Sequence, residues 1–152
     1  MSTYFIYNSP MKIAIGSDHA GFEAKQLIIN YFNQKHINYQ DFGTYSDQSV
    51  DYHDFAHPVA HAVEHKACEL GILICGSGQG VNITANKHVG IRSALCWNPQ
   101  IAALSRQHND ANILAVPGRF LNEQEIINIV ETFINTSFEG GRHANRIQKI
   151  PC

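Results

Sequence analysis

The sequence predicts an α/β protein: a single doubly wound, five-stranded parallel sheet with helices on both faces and a C-terminal tail. Three observations point there. Short apolar runs alternate along the chain with segments of helical periodicity, the pattern of strand-helix-strand units. The third such run, Leu70-Gly71-Ile72-Leu73-Ile74, ends at Cys75 in a glycine-rich turn that opens the next helical stretch, as in Rossmann-like folds. At 152 residues, 44% hydrophobic and 16% charged, the chain has the size and composition of one domain with a sizeable core.

The elements follow in order. Residues 11–15 read as a buried strand, and Ala24, Leu27, Ile28, Tyr31 and Phe32 then recur with helical spacing. Residues 37–42 supply a second strand, 43–52 a polar loop, and 55–68 a helix with Pro58 in its first turn, where a missing N–H is tolerated. The third strand spans 70–75, a short helix 81–87, the fourth strand 91–96, a helix 99–107 and the fifth strand 112–116. Ile126, Ile129, Val130, Phe133 and Ile134 fall on one face of a last strong helix. Numbered along the chain, the strands take the flavodoxin-like order 2-1-3-4-5, which puts the switch-point crevice between strands 1 and 3. The tail 138–152 is glycine-interrupted and basic and reads as lying outside the core. Residues 1–10 read as an extension of unassigned role, with Met11 just before the first strand, and 11–152 as the functional domain.

Composition removes several function classes. A net charge of −2 argues against nucleic acid and membrane surfaces as partners. Residues 1–10 lack a signal-peptide pattern and no run reaches transmembrane length. Cys68, Cys75, Cys96 and Cys152 form no C-x-x-C pair, so a reduced cytoplasmic setting without disulfides is expected.

The turn Cys75-Gly76-Ser77-Gly78-Gln79-Gly80 is the first place to seek function. Its glycines let backbone N–H groups converge, and a helix start adds positive potential, so an anion can be held there. It lacks the Gly-Lys-Ser/Thr ending of a P-loop, and Val81 occupies the third glycine position of a dinucleotide loop. From 70 to 109 there is no Asp or Glu, whereas Lys87, His88, Arg92, Arg106 and His108 all fall there, so a site built from this stretch is expected to be electropositive. A buried small hydrophobe is the default for cysteine and suits Cys68 and Cys96. Cys75 differs, because the adjacent amides would stabilise the thiolate that a cysteine base or nucleophile needs. Ser77 is placed to donate to the same anion.

Asp18 and His19 end the first strand and face the Cys75 loop across the crevice. Helix capping by Asp18 is the plain alternative, and the convergence of two loops favours function. Arg142 and Arg146 share a face if the tail is helical, which suits a phosphate fork or a solvated basic surface equally. His108, with Asn109 and Asp110, ends a helix, where it either complements the helix dipole or serves as an acid/base. His53, His57, His61 and His65 recur every four residues, and 61–65 fits H-x-x-E-H; with no third ligand in view, a polar helix face is preferred to zinc.

Five segments resemble one family: Gly16-Ser17-Asp18-His19-Ala20-Gly21-Phe22, the Cys75–Gly80 turn, Ala85-Asn86-Lys87, Ser105-Arg106-Gln107-His108-Asn109-Asp110 and Gly140-Gly141-Arg142-His143. Together, over about 11–150, the chain resembles the type B ribose-5-phosphate isomerases, whose superfamily includes allose- and galactose-6-phosphate isomerases. The resemblance implies metal-free, cofactor-free aldose-ketose isomerisation of ribose 5-phosphate through an enediolate. It implies a homodimer with shared active sites, or a tetramer. It makes Cys75 the base, with Ser77 and the amides of Gly76, Gly78 and Gly80 holding the enediolate oxygen. His108 would assist ring opening, and Asp18 and Tyr52 would contact hydroxyls. His19, Arg142 and Arg146, with Arg119, would hold the phosphate, and Asn109 would touch the substrate. Some members carry a glutamate one residue after the glycine turn, where this chain has Val81, and His53 stands where a proline usually follows the Asp-Tyr pair. A six-carbon sugar phosphate isomerase and a non-catalytic phosphate-binding module are the alternatives.

Overall fold

The structure is a computed structural model and describes residues 10–152. Except for Pro10, the segment read as an extension lies outside the described residues. The elements are β1 (Lys12–Ser17), α1 (Phe22–Lys35), β2 (Asn38–Asp41), α2 (His53–Glu64), β3 (Leu70–Cys75), α3 (Gln79–Ala85), β4 (Ser93–Leu95), α4 (Pro99–Asn109), β5 (Ile113–Pro117), α5 (Glu123–Asn135) and α6 (Arg142–Ile147), with a 3₁₀ turn at Gly118–Phe120.

The strands form one parallel sheet, and alternate side chains enter two cores. Ile13 and Ile15 of β1, Ile72 and Ile74 of β3, and Leu114 and Val116 of β5 pack with Ile28, Phe32, Ile129, Val130 and Phe133 of α1 and α5. Ala14, Leu73, Cys75, Ile113 and Ala115 point the other way, against Val59, Val63 and Val81 of α2 and α3. Burial on both faces is what the unbroken apolar runs required.

The strand order is β2-β1-β3-β5-β4, so the expected 2-1-3-4-5 is wrong in its last two places. Every residue of β5 is buried, whereas the three of β4 are only half-buried. The fully buried strand therefore sits inside and the short one takes the edge. The exchange matters for the site: Cys75 pairs with Pro117, and the Arg119 N–H donates to the Gly76 carbonyl at 3.0 Å. The end of β5 thus delivers Arg119 to the glycine turn.

Two further expectations change. Helix α2 begins at His53, which puts Pro58 at its sixth position instead of its first turn. The carbonyl that Pro58 cannot serve belongs to Asp54, an exposed residue whose backbone water can satisfy. The tail is largely exposed, but it forms α6 and buries His143. Among the described residues, no helix is long and apolar enough to cross a membrane.

Gly21 is where the fold admits no side chain. A Cβ there would lie 2.5 Å from the Ile74 carbonyl oxygen and 2.7 Å from its carbon, both backbone atoms of β3. Because the obstacle is a central strand, Gly21→Ala is expected to cost about 3 kcal/mol, as severe overpacking does. Thermal unfolding should show a midpoint lower by roughly 10 °C. A midpoint within a degree of wild type would mean that α1 and β3 are not so tightly apposed.

Candidate active site

The crevice opens beyond the carboxyl ends of the paired strands β1 and β3, whose outgoing loops begin at Asp18 and Gly76. A cavity of about 480 Å³ lies there, lined by Asp18, His19, Ala20, Tyr52, Cys75, Gly76, Ser77, Gly80, Arg119 and Phe120. Eight residues singled out from the sequence therefore meet in one place. Gly78 is not part of the lining; it caps α3 at φ 74° and shapes the turn from behind.

Each side chain is held by a specific contact. The Asp18 carboxylate accepts the Gly21 N–H at 3.0 Å through Oδ1, which braces the turn into α1 without capping it, since the N-cap is Gly21 and has no side-chain cap; Asp18 is 7% exposed. His19 accepts the Val50 N–H at 3.2 Å through Nδ1. That bond requires Nδ1 to be unprotonated and leaves Nε2–H as the donor. It also ties the crevice to the loop that carries Tyr52. The Tyr52 ring lies directly on Gly80, where a Cβ would be 2.7 Å from Cζ, so only glycine allows this approach. Arg119 lies across Gly76, 3.1 Å from the Cβ position. Cys75 is 5% exposed and sits at the mouth of the turn. Among the described residues, the amides of Ser77 and Gly78 donate to no protein acceptor, while Ser77 Oγ accepts from Gln79 N at 3.4 Å. A thiol beside unpaired amides at a strand end can hold an oxyanion and move a proton next to it.

The other cysteines behave as packing. Cys68 and Cys96 are buried, and desolvation raises both thiols, that of Cys96 to about 11 despite a contact with Ser105. Cys152 is exposed. Val81 is wholly buried in the α2–α3 core.

His108, Asn109 and Arg146 are not in this crevice. They line a separate cavity of about 350 Å³ with His143, Ile147 and Ile150, between the end of α4 and α6. Arg142 begins α6 on the same tail. The sequence-predicted set is therefore split into two groups on one chain.

The electropositive site expected from 70–109 does not form. Arg92 and Arg106 both pair with Asp110, at 3.3 and 2.9 Å, and donate to the carbonyls of Asp110 and Ala111. Arg119, Arg142 and Arg146 are the arginines without a carboxylate partner among the described residues. The histidine series does not converge either. His57 Nδ1 meets His88 Nε2 at 2.8 Å, His61 stacks on His65 at 4.0 Å, and Glu64 accepts the Gly90 N–H at 2.7 Å.

Two residues were given no role from the sequence, Glu139 not being singled out at all and His143 figuring only within the 140–143 segment. His143 stacks on His108, ring centroids 4.3 Å apart and 11° from parallel, and Glu139 lies beside both rings. Burial and the nearby His108, Arg142 and Arg146 push His143 toward its neutral form, and Glu139 opposes them. The signal was the Glu-Gly-Gly-Arg-His run itself, which sits in a tail read as outside the core.

A family model described as Ribose/Galactose Isomerase matches residues 13–150. The chain is 42% identical over 139 residues to ribose-5-phosphate isomerase B of Escherichia coli, covering 91% of this chain and 93% of that one. Its fold matches the Clostridium thermocellum ribose-5-phosphate isomerase B structure with a TM-score of 0.91 at 48% identity, over 92% of this chain and 95% of that one. It also matches the Mycoplasma genitalium ribose-5-phosphate isomerase B, solved with bound ribulose-5-phosphate, with a TM-score of 0.88 at 45% identity over 92% and 93% of the two chains.

Proposed function

The chain belongs to the ribose/galactose isomerase family, and from that premise we propose that it interconverts ribose 5-phosphate and ribulose 5-phosphate. The observation that carries the reading is the crevice itself, where a cysteine at a strand end borders unpaired amides together with the Asp18, His19, Tyr52 and Arg119 side chains.

In this reading, Cys75 as thiolate removes the C2 proton of the open-chain aldose. Negative charge develops on the carbonyl oxygen, and the amides of the glycine turn with Ser77 hold it as the enediolate. Cys75 then returns the proton to C1, while the hydroxyl proton moves from O2 to O1 and the ketose results. Asp18 and Tyr52 fix the sugar hydroxyls, and no metal or cofactor is called for.

His108, Asn109, Arg142 and Arg146 serve a second copy of the chain. They lie outside the crevice of their own subunit, yet ring opening and phosphate binding need such groups. A homodimer in which α4 and α6 of one protomer close the crevice of the other satisfies both facts, since a two-fold operator makes two equivalent sites. The split of the residues between two cavities supports this arrangement.

Comparison of kcat/KM for five- and six-carbon aldose phosphates tests the substrate. Ribose 5-phosphate should be preferred by at least about tenfold, the scale on which one misplaced methylene-sized group is discriminated. Preference for a six-carbon phosphate, or binding without turnover, would contradict the assignment.

A further inference from the structure

Three titratable side chains meet where α4 ends. The parallel rings of His108 and His143 present their Nε2 atoms to one oxygen, Glu139 Oε2, at 3.9 and 3.7 Å. Glu139 is fixed from its backbone as well, its N–H donating to the Gln107 carbonyl at 3.1 Å. The remaining charges around the cluster are Arg142 and Arg146 of α6 and, on α4, Arg106 and Asp110, which pair with each other.

Stacked imidazoles repel if both are charged, so a single carboxylate beside them favours one proton on the pair. The two rings are unequal hosts. The His143 side chain is 10% exposed and flanked by Arg142 and Arg146, whereas that of His108 is 42% exposed at the cavity with Asn109 and Arg146.

Resting on the isomerase reading, we propose that Glu139 is a positioning residue for ring opening: it holds the stacked pair so that His108, not His143, carries the shared proton and presents it to the sugar. In that step the bond between C1 and the ring oxygen breaks. Its electron pair and the His108 proton go to the ring oxygen, and the anomeric hydroxyl gives its proton to water as the C1 carbonyl forms. His143 stays neutral and keeps the ring orientation by stacking.

Glu139→Gln, isosteric and at a half-exposed side chain, separates this from a structural role. Two rates are measured on full-length wild type and variant: conversion of ribose 5-phosphate, and deuterium wash-in at C1 of ribulose 5-phosphate. The ketose is open-chain, so wash-in needs Cys75 but no ring opening. Conversion should fall about tenfold, less than the roughly hundredfold or more expected for loss of the general acid itself because Glu139 acts only through His108, while wash-in stays within about twofold of wild type. The His143 imidazole, followed by NMR, should titrate at still lower pH in the variant. An equal fall in both rates, or no fall in either, would overturn the inference. A Glu139→Asp variant with wild-type wash-in and conversion between the two would support it. Wild type inactive in both assays would overturn the isomerase reading and this inference with it; an active wild type with an unaffected variant would overturn this inference alone.

Discussion

Cys75→Ala should lower kcat by about three orders of magnitude, within the range for loss of a positioned base. No carboxylate occurs in 70–109, and Val81 is packed in the core. Asp18 is engaged through Oδ1 with Gly21. Fold and phosphate affinity should persist, because the replaced sulfur makes no hydrogen bond among the described residues and the arginines are untouched. Cys68→Ala and Cys96→Ala should instead lose about 1 kcal/mol of stability with kcat unchanged, as small buried side chains do. In a Cys152→Ser background, which removes the exposed thiol, an alkylating reagent should inactivate in proportion to modification at Cys75, and substrate should protect. Near-normal turnover by Cys75→Ala, with Asp18→Ala or His108→Ala inactive, would transfer the base role elsewhere.

Arg146→Ala should raise KM and lower kcat/KM by about a hundredfold, the scale of a charge-assisted hydrogen bond to phosphate left unmade. Arg146 has no carboxylate partner among the described residues and lines the cavity with His108, so its charge is available to a ligand. Arg92 and Arg106 are committed to Asp110 and should not show the effect. Inorganic phosphate should compete with substrate in wild type and far less in the variant. An unchanged KM would remove Arg146 from the phosphate site.

Local features were legible and tertiary ones were not. The strand, glycine turn and helix around Cys75 are contiguous, so apolar run and turn chemistry located β3 and the turn after it residue by residue. Asp18 and His19 followed because a parallel sheet of this kind pairs its first and third strands at the crevice. The order of β4 and β5 did not follow, since periodicity distinguishes strand from helix but not one partner strand from another. Only burial, complete for β5 and partial for β4, decides it. Counting cations in 70–109 misjudged the field because Asp110, one residue beyond that stretch, accepts both Arg92 and Arg106. Glu139, and any role for His143, went unread because glycines and charges mark a surface tail, and nothing local reveals that α6 docks on α4 and stacks two histidines.

If one crevice and the α4–α6 arm of another subunit make each active site, as we propose, subunit mixing reveals it directly. Cys75→Ala and Arg146→Ala proteins, each nearly inactive at substrate well below KM, are unfolded together, refolded as a mixture and assayed at that concentration. If the site is shared, a mixed dimer carries one site with both substitutions and one with neither. Random assembly should then restore about a quarter of wild-type activity, because half the dimers are mixed and each has one intact site. Activity no greater than the average of the two parents, with mixed dimers demonstrated, would place all the residues of a site on one subunit and rule out the shared site.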